Sequence, residues 1–214
     1  MPNRRSNAVR PACRAAGLKS FQALLLTAAL GIAVQVQAQQ PGQGASALPR
    51  LAACAACHGP SGRSELANIP SLAGQPAVFV ETQLVMIREG LRRVPQMQGL
   101  LDGVKDSEIT ALARYYSEQA PAQPVGERRA AQFERGQQVA QRLHCGSCHL
   151  ATFQGREQMP RLAGQREDYL GYSMKQFRDN QTSGRDTIMA ATLYGVSDDD
   201  IAALAHFLAQ VPTK

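Results

Sequence analysis

Four of the five cysteines in this 214-residue chain occur in two copies of one short pattern, CAACH at 54–58 and CGSCH at 145–149. Two thiols three residues apart on a helical turn can each form a thioether with one vinyl group of a haem, and the histidine that follows can bind the iron. The pattern therefore predicts two covalently bound haem c groups. The attachment residues are Cys54, Cys57 and His58 in the first copy, and Cys145, Cys148 and His149 in the second.

Three other chemistries use the same residue types. A zinc site takes four such ligands, but the two motifs lie in separate repeats that are each complete. A thioredoxin-like dithiol occurs in a βαβ context, which the helical patterns of this chain do not provide. A disulfide within so short a loop would be strained. Haem attachment is therefore the interpretation that the pattern favours.

The sixth iron ligand decides what a haem can do, since His/Met ligation gives a closed iron at raised potential, suited to electron transfer. Met97 in VPQMQGLL and Met189 in DTIMAATL lie 92 residues apart. The similar segments that follow them, beginning with GV at 103 and at 195, are also 92 residues apart. We therefore expect Met97 and Met189 to be the distal ligands. Lone methionines are more often apolar filling, and this is the interpretation for Met86 and Met174, which fall inside predicted helices.

The two motifs belong to a longer internal repeat. IPSLAGQ (69–75) matches MPRLAGQ (159–165), and GVKDSEITALARYY (103–116) matches GVSDDDIAALAHFL (195–208). The segment EQAPAQPVGE between the copies has the prolines and the glycine of a linker. We therefore expect a first domain over residues 39–118, a linker over 119–127 and a second domain over 128–214.

The elements that position these residues are predicted to be helices. The last segment of each copy has apolar residues at i, i+3, i+4 and i+7, and residues 77–89 and 167–179 also have helical patterns. Ser197 and Asp200 stand at capping-box spacing, and no stretch alternates as a strand would. The fold is therefore predicted to be all-α. The expected buried faces are Ile109, Leu112, Ala113 and Tyr116 in the first copy, and Ile201, Leu204, Ala205 and Leu208 in the second.

The N-terminal segment has the order of a secretory signal peptide. Residues 1–20 carry five basic side chains and no acidic one, and an apolar run then extends from Phe21 to about Val36. With Val-Gln-Ala ending at Ala38, we expect cleavage after Ala38, and Cys13 would leave with the peptide. A retained membrane anchor is the alternative, but the run is short for a bilayer span. Export fits the prediction of c-type haems, which are typically attached outside the cytoplasm; the periplasm as the location is implied by the family resemblance described below.

The net charge of +6 belongs mostly to this segment, since its removal leaves 18 basic and 17 acidic residues. A basic balance of this origin does not favour nucleic-acid binding. The chain also lacks a basic stripe interleaved with stacking aromatic residues. We therefore expect no nucleic-acid partner.

The paired CxxCH motifs, the two LAGQ stretches, and Met97 and Met189 together resemble the cytochrome c4 family, dihaem carriers of the bacterial periplasm with two class I cytochrome c domains. The resemblance covers essentially the whole chain after residue 38. It implies that the carbonyls of Pro70 and Pro160 accept hydrogen bonds from the ligating histidines.

The resemblance also implies that the first helix of each domain crosses the last one, with a glycine and an aromatic residue at the contact. The second copy has Phe133 and Gly136 in RRAAQFERGQQVAQRL (128–143). The first copy offers only GQGASALPRLAA (42–53), where Pro49 would disrupt a helix interior. We therefore expect its first helix to be short or irregular.

Other residues carry further expectations. Guanidinium groups suit carboxylates, so the arginines near the ligand loops are either partners of haem propionates or part of a solvated helix face. His144 and His206 have no counterpart in the other copy and are expected to pack or to be exposed. Tyr115 and Phe207 match as aromatic residues of the last helix. The arginines concerned are Arg88, Arg178, Arg92, Arg93 and Arg185.

The function that the resemblance implies is one-electron transfer between a quinol-oxidising complex and a terminal oxidase or reductase, without catalytic residues. The expected partners are redox proteins, either membrane respiratory complexes or a dehydrogenase, with transient docking and no retained anchor. One alternative is an electron-transfer subunit of a dehydrogenase such as a flavocytochrome. A dihaem peroxidase or a thiosulfate-oxidising enzyme is less favoured, because Met97 and Met189 would close both irons.

Overall fold

The computed structural model describes residues 50–181 and 187–213, and this part of the chain is helical. Its β structure is limited to one isolated bridge between Arg156 and Met159. The predicted signal peptide, Cys13, Arg185 and most of the expected first helix of the first copy lie outside the described residues. Within the two described ranges, no helix combines the length and the apolar character needed to cross a membrane.

Both repeats follow the same order: a helix that ends in the CxxCH motif, a long helix, a short segment with the predicted distal methionine, and a terminal helix. Among the described residues, the second repeat has an additional helix before its motif. The helices at 77–89 and 167–179 are confirmed to within one residue. The first repeat comprises α1 (Leu51–His58), α2 (Ala77–Arg88), a 3-10 turn (Pro95–Met97) and α3 (Asp106–Ser117). The second comprises α4 (Ala130–Arg142), α5 (Cys145–His149), α6 (Glu167–Arg178), α7 (Thr187–Leu193) and α8 (Asp198–Gln210).

The terminal helices form the centres of two cores, one in each repeat. The eight apolar residues predicted to face inward are all buried, which confirms the periodicity. Helix α3 packs against α2, and α8 packs against α4 and α6. The Ser197 hydroxyl accepts a hydrogen bond from the Asp200 N–H at 3.2 Å, so it caps α8 as expected. The Asp200 carboxylate pairs with Arg135 and Arg142 of α4.

Gly136 allows α4 and α8 to cross at close range. A Cβ at this position would lie 2.1 Å from the Ala203 oxygen and 2.5 Å from the Phe207 Cβ. The rings of Phe133 and Phe207 meet edge to face at the same crossing, with centroids 5.0 Å apart. The expected contact of a glycine and an aromatic residue is therefore confirmed in the second repeat.

The two repeats enter their motifs differently. Helix α1 begins at Leu51 and continues without a break to His58, so one helix carries the whole motif; the expectation for the segment 42–53 stays a prediction, since most of it lies outside the described residues. In the second repeat, α4 ends at Arg142, and His144 adopts a left-handed conformation (φ 52°) before the separate helix α5. His144 is exposed, which agrees with a surface role and not with a ligand role.

Candidate haem-binding sites

Each motif presents one half-buried and one exposed thiol on a single helical turn. Cys54 and Cys145 are half-buried, Cys57 and Cys148 are exposed, and all four are free thiols. Burial raises the pKa of Cys54 and of Cys145, so these thiols are protonated at pH 7. Two sulfurs on one turn are what two thioether bonds to a single haem require.

The motif histidines are buried, and each is held by a proline carbonyl. His58 Nδ1 lies 2.8 Å from the Pro70 oxygen, and His149 Nδ1 lies 2.9 Å from the Pro160 oxygen. Because a carbonyl only accepts, each Nδ1 carries the proton and each Nε2 keeps a free lone pair. Burial lowers the pKa of both histidines, against the opposing effect of the carbonyl bond. Both are therefore neutral at pH 7, in the tautomer that an iron ligand needs.

The predicted distal methionines occupy equivalent places in the two repeats. Met97 ends the 3-10 turn and packs, like Cys54, against the apolar core of the first repeat. Met189 lies in α7 and packs, like Cys145, against the core of the second. In each repeat the structure therefore brings a motif cysteine and the candidate methionine to one apolar cluster. The bond from each methionine sulfur to iron stays a prediction.

The P-x-L-A-G-Q stretch holds each proline carbonyl in a hydrogen-bonded turn. In the first repeat, the N–H groups of Leu72 and Ala73 donate to the Gly62 oxygen at 2.6 and 3.0 Å. Gly74 N–H donates to the Tyr116 oxygen at 2.9 Å, which joins the turn to the end of α3. The same bonds in the second repeat join Leu162 and Ala163 to Phe153, and Gly164 to Leu208.

The glycines of the two LAGQ stretches lie directly against the linker. Both have a left-handed backbone, with φ of 68°, which glycine adopts without strain. A Cβ at Gly74 would lie 2.9 Å from the Pro121 Cβ, and one at Gly164 would lie 2.3 Å from the Ala122 oxygen. The segment expected to be a linker is therefore packed over both turns.

The matched arginines make contacts within the protein. Arg88 Nη1 donates to the Val104 oxygen at 2.8 Å and also pairs with Asp106. These contacts tie the end of α2 to the start of α3. The equivalent contacts join Arg178 to the Val196 oxygen at 3.1 Å and to Asp198. Both arginines therefore have a structural role that was not expected, and the role expected for them as partners of haem propionates stays a prediction.

Residues expected to pack rather than to bind iron mostly do so. His206 is fully buried, and its Nε2 accepts from the Arg129 N–H at 3.0 Å. Its Nδ1 lies 2.9 Å from Glu167 Oε2 and 2.8 Å from Arg129 Nη2, and these contacts join α8 to the starts of α4 and α6. Met174 is buried in the second core as expected, whereas Met86 is only half-buried.

Tyr116 gives the first site a polar feature that no described protein group satisfies. Its side chain is 1% exposed, and its hydroxyl makes no hydrogen bond of ordinary geometry among the residues that the structure describes, although the Cys54 thiol lies near enough to interact with it. Burial raises its pKa, and the nearby Cys54 thiol adds to this effect. The matching residue of the second repeat is Leu208, which has no hydroxyl. An unsatisfied hydroxyl beside a predicted attachment cysteine fits a prosthetic group with polar atoms at this place.

The sequence analysis missed the residues that join the two repeats. Gln75 and Gln165, the last residues of the LAGQ stretches, are buried, with 4% and 6% exposure. Gln165 Oε1 accepts from the Ser71 N–H at 2.8 Å, and its Nε2 donates to the Ser71 oxygen at 2.9 Å. Gln75 makes the same pair of bonds with Arg161, at 2.9 and 3.0 Å. The only signal for these contacts was that LAGQ ends in glutamine in both copies.

Further polar contacts extend this interface. Arg166 Nη1 donates to the Ser64 oxygen at 3.1 Å, and Asp168 Oδ2 accepts from the Asn68 N–H at 3.1 Å. Arg161 Nε donates to the Gly74 oxygen at 3.0 Å, and burial lowers the pKa of this guanidinium. The interface between the repeats is therefore polar and specific in register.

Fold and sites together define the class: an all-α, dihaem c-type cytochrome with two tandem class I domains, each with one covalently bound haem c. The family model described as "Cytochrome c" matches residues 133–212, and the one described as "Cytochrome C oxidase, cbb3-type, subunit III" matches residues 42–115.

Relatives of known type match over most of the chain. Cytochrome c4 of Azotobacter vinelandii is 30% identical over 202 residues, which cover 86% of this chain and 96% of the relative. A thiosulfate dehydrogenase electron acceptor of Thiomonas intermedia is 31% identical, covering 80% of this chain and 84% of the relative. The crystal structure of reduced cytochrome c4 from Pseudomonas stutzeri superposes with a TM-score of 0.71 at 30% identity, covering 79% and 98% of the two chains. The chain therefore belongs to the cytochrome c4 family, and the expected fold class and cofactor are confirmed.

Proposed function

We propose that each repeat binds its haem c through the two cysteines of its motif, with the motif histidine and the matched methionine as axial ligands. The observation that carries this assignment is the same in both repeats: a buried, neutral histidine with Nε2 free, next to two free thiols on one helical turn. Each bound haem supplies a one-electron iron couple. The proposed residues are Cys54, Cys57, His58 and Met97 for the first haem, and Cys145, Cys148, His149 and Met189 for the second.

The chain is proposed to carry single electrons in the periplasm, from a quinol-oxidising complex to a terminal oxidase or reductase. The family and the matched methionines support this role, because methionine ligation leaves no iron position open to a substrate. The signal-like order of residues 1–38 supports export and cleavage, with no retained anchor. The proposed domains are residues 39–118 and 128–214, joined by the linker 119–127.

Carbon monoxide binding tests the assignment of the distal ligands, since only an open or exchangeable ferrous iron takes up this gas. We expect the visible spectrum of the reduced wild-type protein to be unchanged by carbon monoxide. We expect Met97→Ala and Met189→Ala each to bind it at one haem. Met86→Ala is the matched control, because this half-buried methionine lies within a helix and is assigned no ligand role. Carbon monoxide binding by the wild-type protein, or by the Met86 variant alone, would contradict the assignment.

A second candidate function is that of electron acceptor for a thiosulfate dehydrogenase. The relative from Thiomonas intermedia, which bears that name, supports it. The two roles differ in the electron donor. Haem reduction can be followed in a stopped-flow spectrometer. If the chain accepts electrons from a thiosulfate dehydrogenase, reduction should be fast with thiosulfate and that enzyme. If it accepts electrons from a quinol-oxidising complex, reduction should be fast with quinol-oxidising membranes. A flavocytochrome-type role would instead show as co-purification with a flavoprotein.

A further inference from the structure

His58 and Gln165 bind the two ends of one peptide group. The Pro70 carbonyl accepts from His58 Nδ1 at 2.8 Å, and the Ser71 N–H of the same peptide donates to Gln165 Oε1 at 2.8 Å. Hydrogen bonds at both ends of a peptide polarise it in the same direction, so each bond strengthens the other. A glutamine of the second repeat therefore acts on the motif histidine of the first.

The second repeat has the reciprocal arrangement. The Pro160 carbonyl accepts from His149 Nδ1 at 2.9 Å, and the Arg161 N–H of the same peptide donates to Gln75 Oε1 at 2.9 Å. Gln75 belongs to the first repeat. Each glutamine thus contacts the proline peptide that binds the motif histidine of the opposite repeat. We call this arrangement crossed, because each repeat supplies the glutamine for the other.

The two amides are fixed in orientation by bonds from both of their atoms. Gln165 Oε1 accepts from the Ser71 N–H, and Gln165 Nε2 donates to the Ser71 oxygen at 2.9 Å. Gln75 is paired with Arg161 in the same way, and its Nε2 donates to the Arg161 oxygen at 3.0 Å. Both side chains are buried, where hydrogen bonds are electrostatically stronger than in water. A buried amide with both ends paired is a preorganised acceptor for the proline peptide.

The side-chain oxygens of Gln165 and Gln75 differ in the number of hydrogen bonds that they accept. Gln165 Oε1 also accepts from the N–H of Arg166 at 3.0 Å. Gln75 is followed by Pro76, which has no N–H to donate. The oxygen of Gln75 is therefore free of this second bond, and we expect its effect on the opposite histidine to be the larger of the two.

We propose that Gln165 and Gln75 are crossed positioning residues, which set the reduction potential of the haem in the opposite repeat. The proposal rests on the proposed iron ligation by His58 and His149. A more polarised carbonyl draws the Nδ1 proton and makes the imidazole a stronger donor to iron, which favours the ferric state. Loss of Gln165 therefore raises the potential of the first haem, and loss of Gln75 raises that of the second.

The test is an NMR-monitored redox titration of the dihaem holoprotein, in which the methyl resonances of the two haems report separately. Gln165→Met and Gln75→Met keep the side-chain length and remove the amide. We expect the reduction equilibrium constant of the opposite haem to rise about threefold, or about 30 mV for one electron. The haem of the substituted repeat should shift less.

Gln210→Met is the matched control. Gln210 is also buried, and its Nε2 donates to the Val125 oxygen at 2.9 Å and not to a group of either proline peptide. We expect this variant to shift neither haem selectively. The Nδ1–H resonances of the two ligand histidines give a second readout, since each should move only when the opposite glutamine is replaced.

Equal shifts of both haems, a shift in the substituted repeat alone, or no shift would overturn the proposal. The same selective shift from Gln210→Met would also overturn it. If one glutamine variant loses haem, the other variant decides by itself, and haem loss from both would show that the glutamines serve folding instead. Failure of the histidine ligation is recognised separately, because the Nδ1–H resonances of His58 and His149 in the ferric wild-type protein would then lack the hyperfine shift of an iron ligand.

Discussion

At the scale of single residues, the chemistry of each site depends on which nitrogen of the histidine carries the proton. The carbonyls of Pro70 and Pro160 place it on Nδ1, and this leaves Nε2 as the nitrogen available to iron. The cysteines and the histidine are adjacent in sequence, but the proline lies 12 residues away in the first repeat and 11 in the second. The P-x-L-A-G-Q turn is therefore as much a part of the site as the motif itself.

The unsatisfied hydroxyl of Tyr116 leads to a prediction at this scale. Since a buried hydroxyl is costly without a partner, we expect it to find one in the holoprotein, supplied together with the haem. Tyr116→Phe should then lower the free energy of unfolding of the holoprotein by about 1 kcal/mol. Denaturant unfolding of the ferric protein, followed by haem absorbance, measures this change.

Tyr115→Phe is the matched control for this substitution. The Tyr115 hydroxyl is more exposed and donates to the Pro60 oxygen at 3.2 Å, so its removal should cost less than the removal of the Tyr116 hydroxyl. A gain in stability from Tyr116→Phe would show that the hydroxyl has no partner in the holoprotein either.

At the scale of elements, the second repeat depends on the crossing of α4 and α8. Gly136→Ala would place a Cβ against the Ala203 oxygen and the Phe207 Cβ, so the helices must move apart. We expect a loss of about 1–3 kcal/mol in the free energy of unfolding, which exceeds the gain of roughly 0.5–1 kcal/mol from the better helix propensity of alanine. Chemical denaturation of the holoprotein measures it.

Gly171→Ala provides the comparison within a neighbouring helix. A Cβ at this position in α6 would meet the Ala205 Cβ at 3.9 Å, an ordinary contact. We expect this substitution to leave stability unchanged or to raise it by up to about 1 kcal/mol. Equal effects of the two substitutions would show that the crossing is not tightly packed.

At the scale of the whole molecule, the two repeats are joined by polar contacts between their LAGQ turns and by a linker packed over both. Gln75, Gln165, Arg166 and Asp168 all bind backbone groups of the opposite repeat. Bonds to backbone atoms fix the register of one repeat on the other without depending on the opposite side chains.

Acid should weaken this interface through Asp168. Burial raises the pKa of this carboxyl, but bonds donated by Arg166 and by the N–H groups of Asn68 and Tyr169 outweigh it, so the pKa lies below its ordinary value of 3.8. A depressed pKa contributes stability above the unfolded value, and this is lost as pH falls through the native one. We therefore expect the contribution of Asp168 to decline below pH 3.8.

The measurement compares the wild-type protein with Asp168→Asn in urea unfolding between pH 7 and pH 2. The wild-type protein should be the more stable at neutral pH, and the difference should shrink as the pH falls below 3.8. Other carboxyls titrate equally in both proteins and cancel in the comparison. A difference that stays constant over the whole range would show that the charge of Asp168 does not matter.

Much of the local structure and of the site could be predicted from the sequence. The spacing of apolar residues in 103–116 and 195–208 located α3 and α8, because residues three and four apart lie on the same face of a helix. The CxxCH spacing identified the thiols and histidines for the same reason. The internal repeat then allowed the two copies to be compared, which singled out Met97 and Met189.

The sequence by itself determined the elements, the haem attachment motifs and the two-domain plan, because these depend on residues close together in the chain. Only the tertiary structure decided the partners of Gln75 and Gln165, which lie 86 and 94 residues away. The same holds for Arg88 and Arg178, which bind the loops before the terminal helices. A long polar side chain can reach many partners, and only the packing of the two repeats selects one of them.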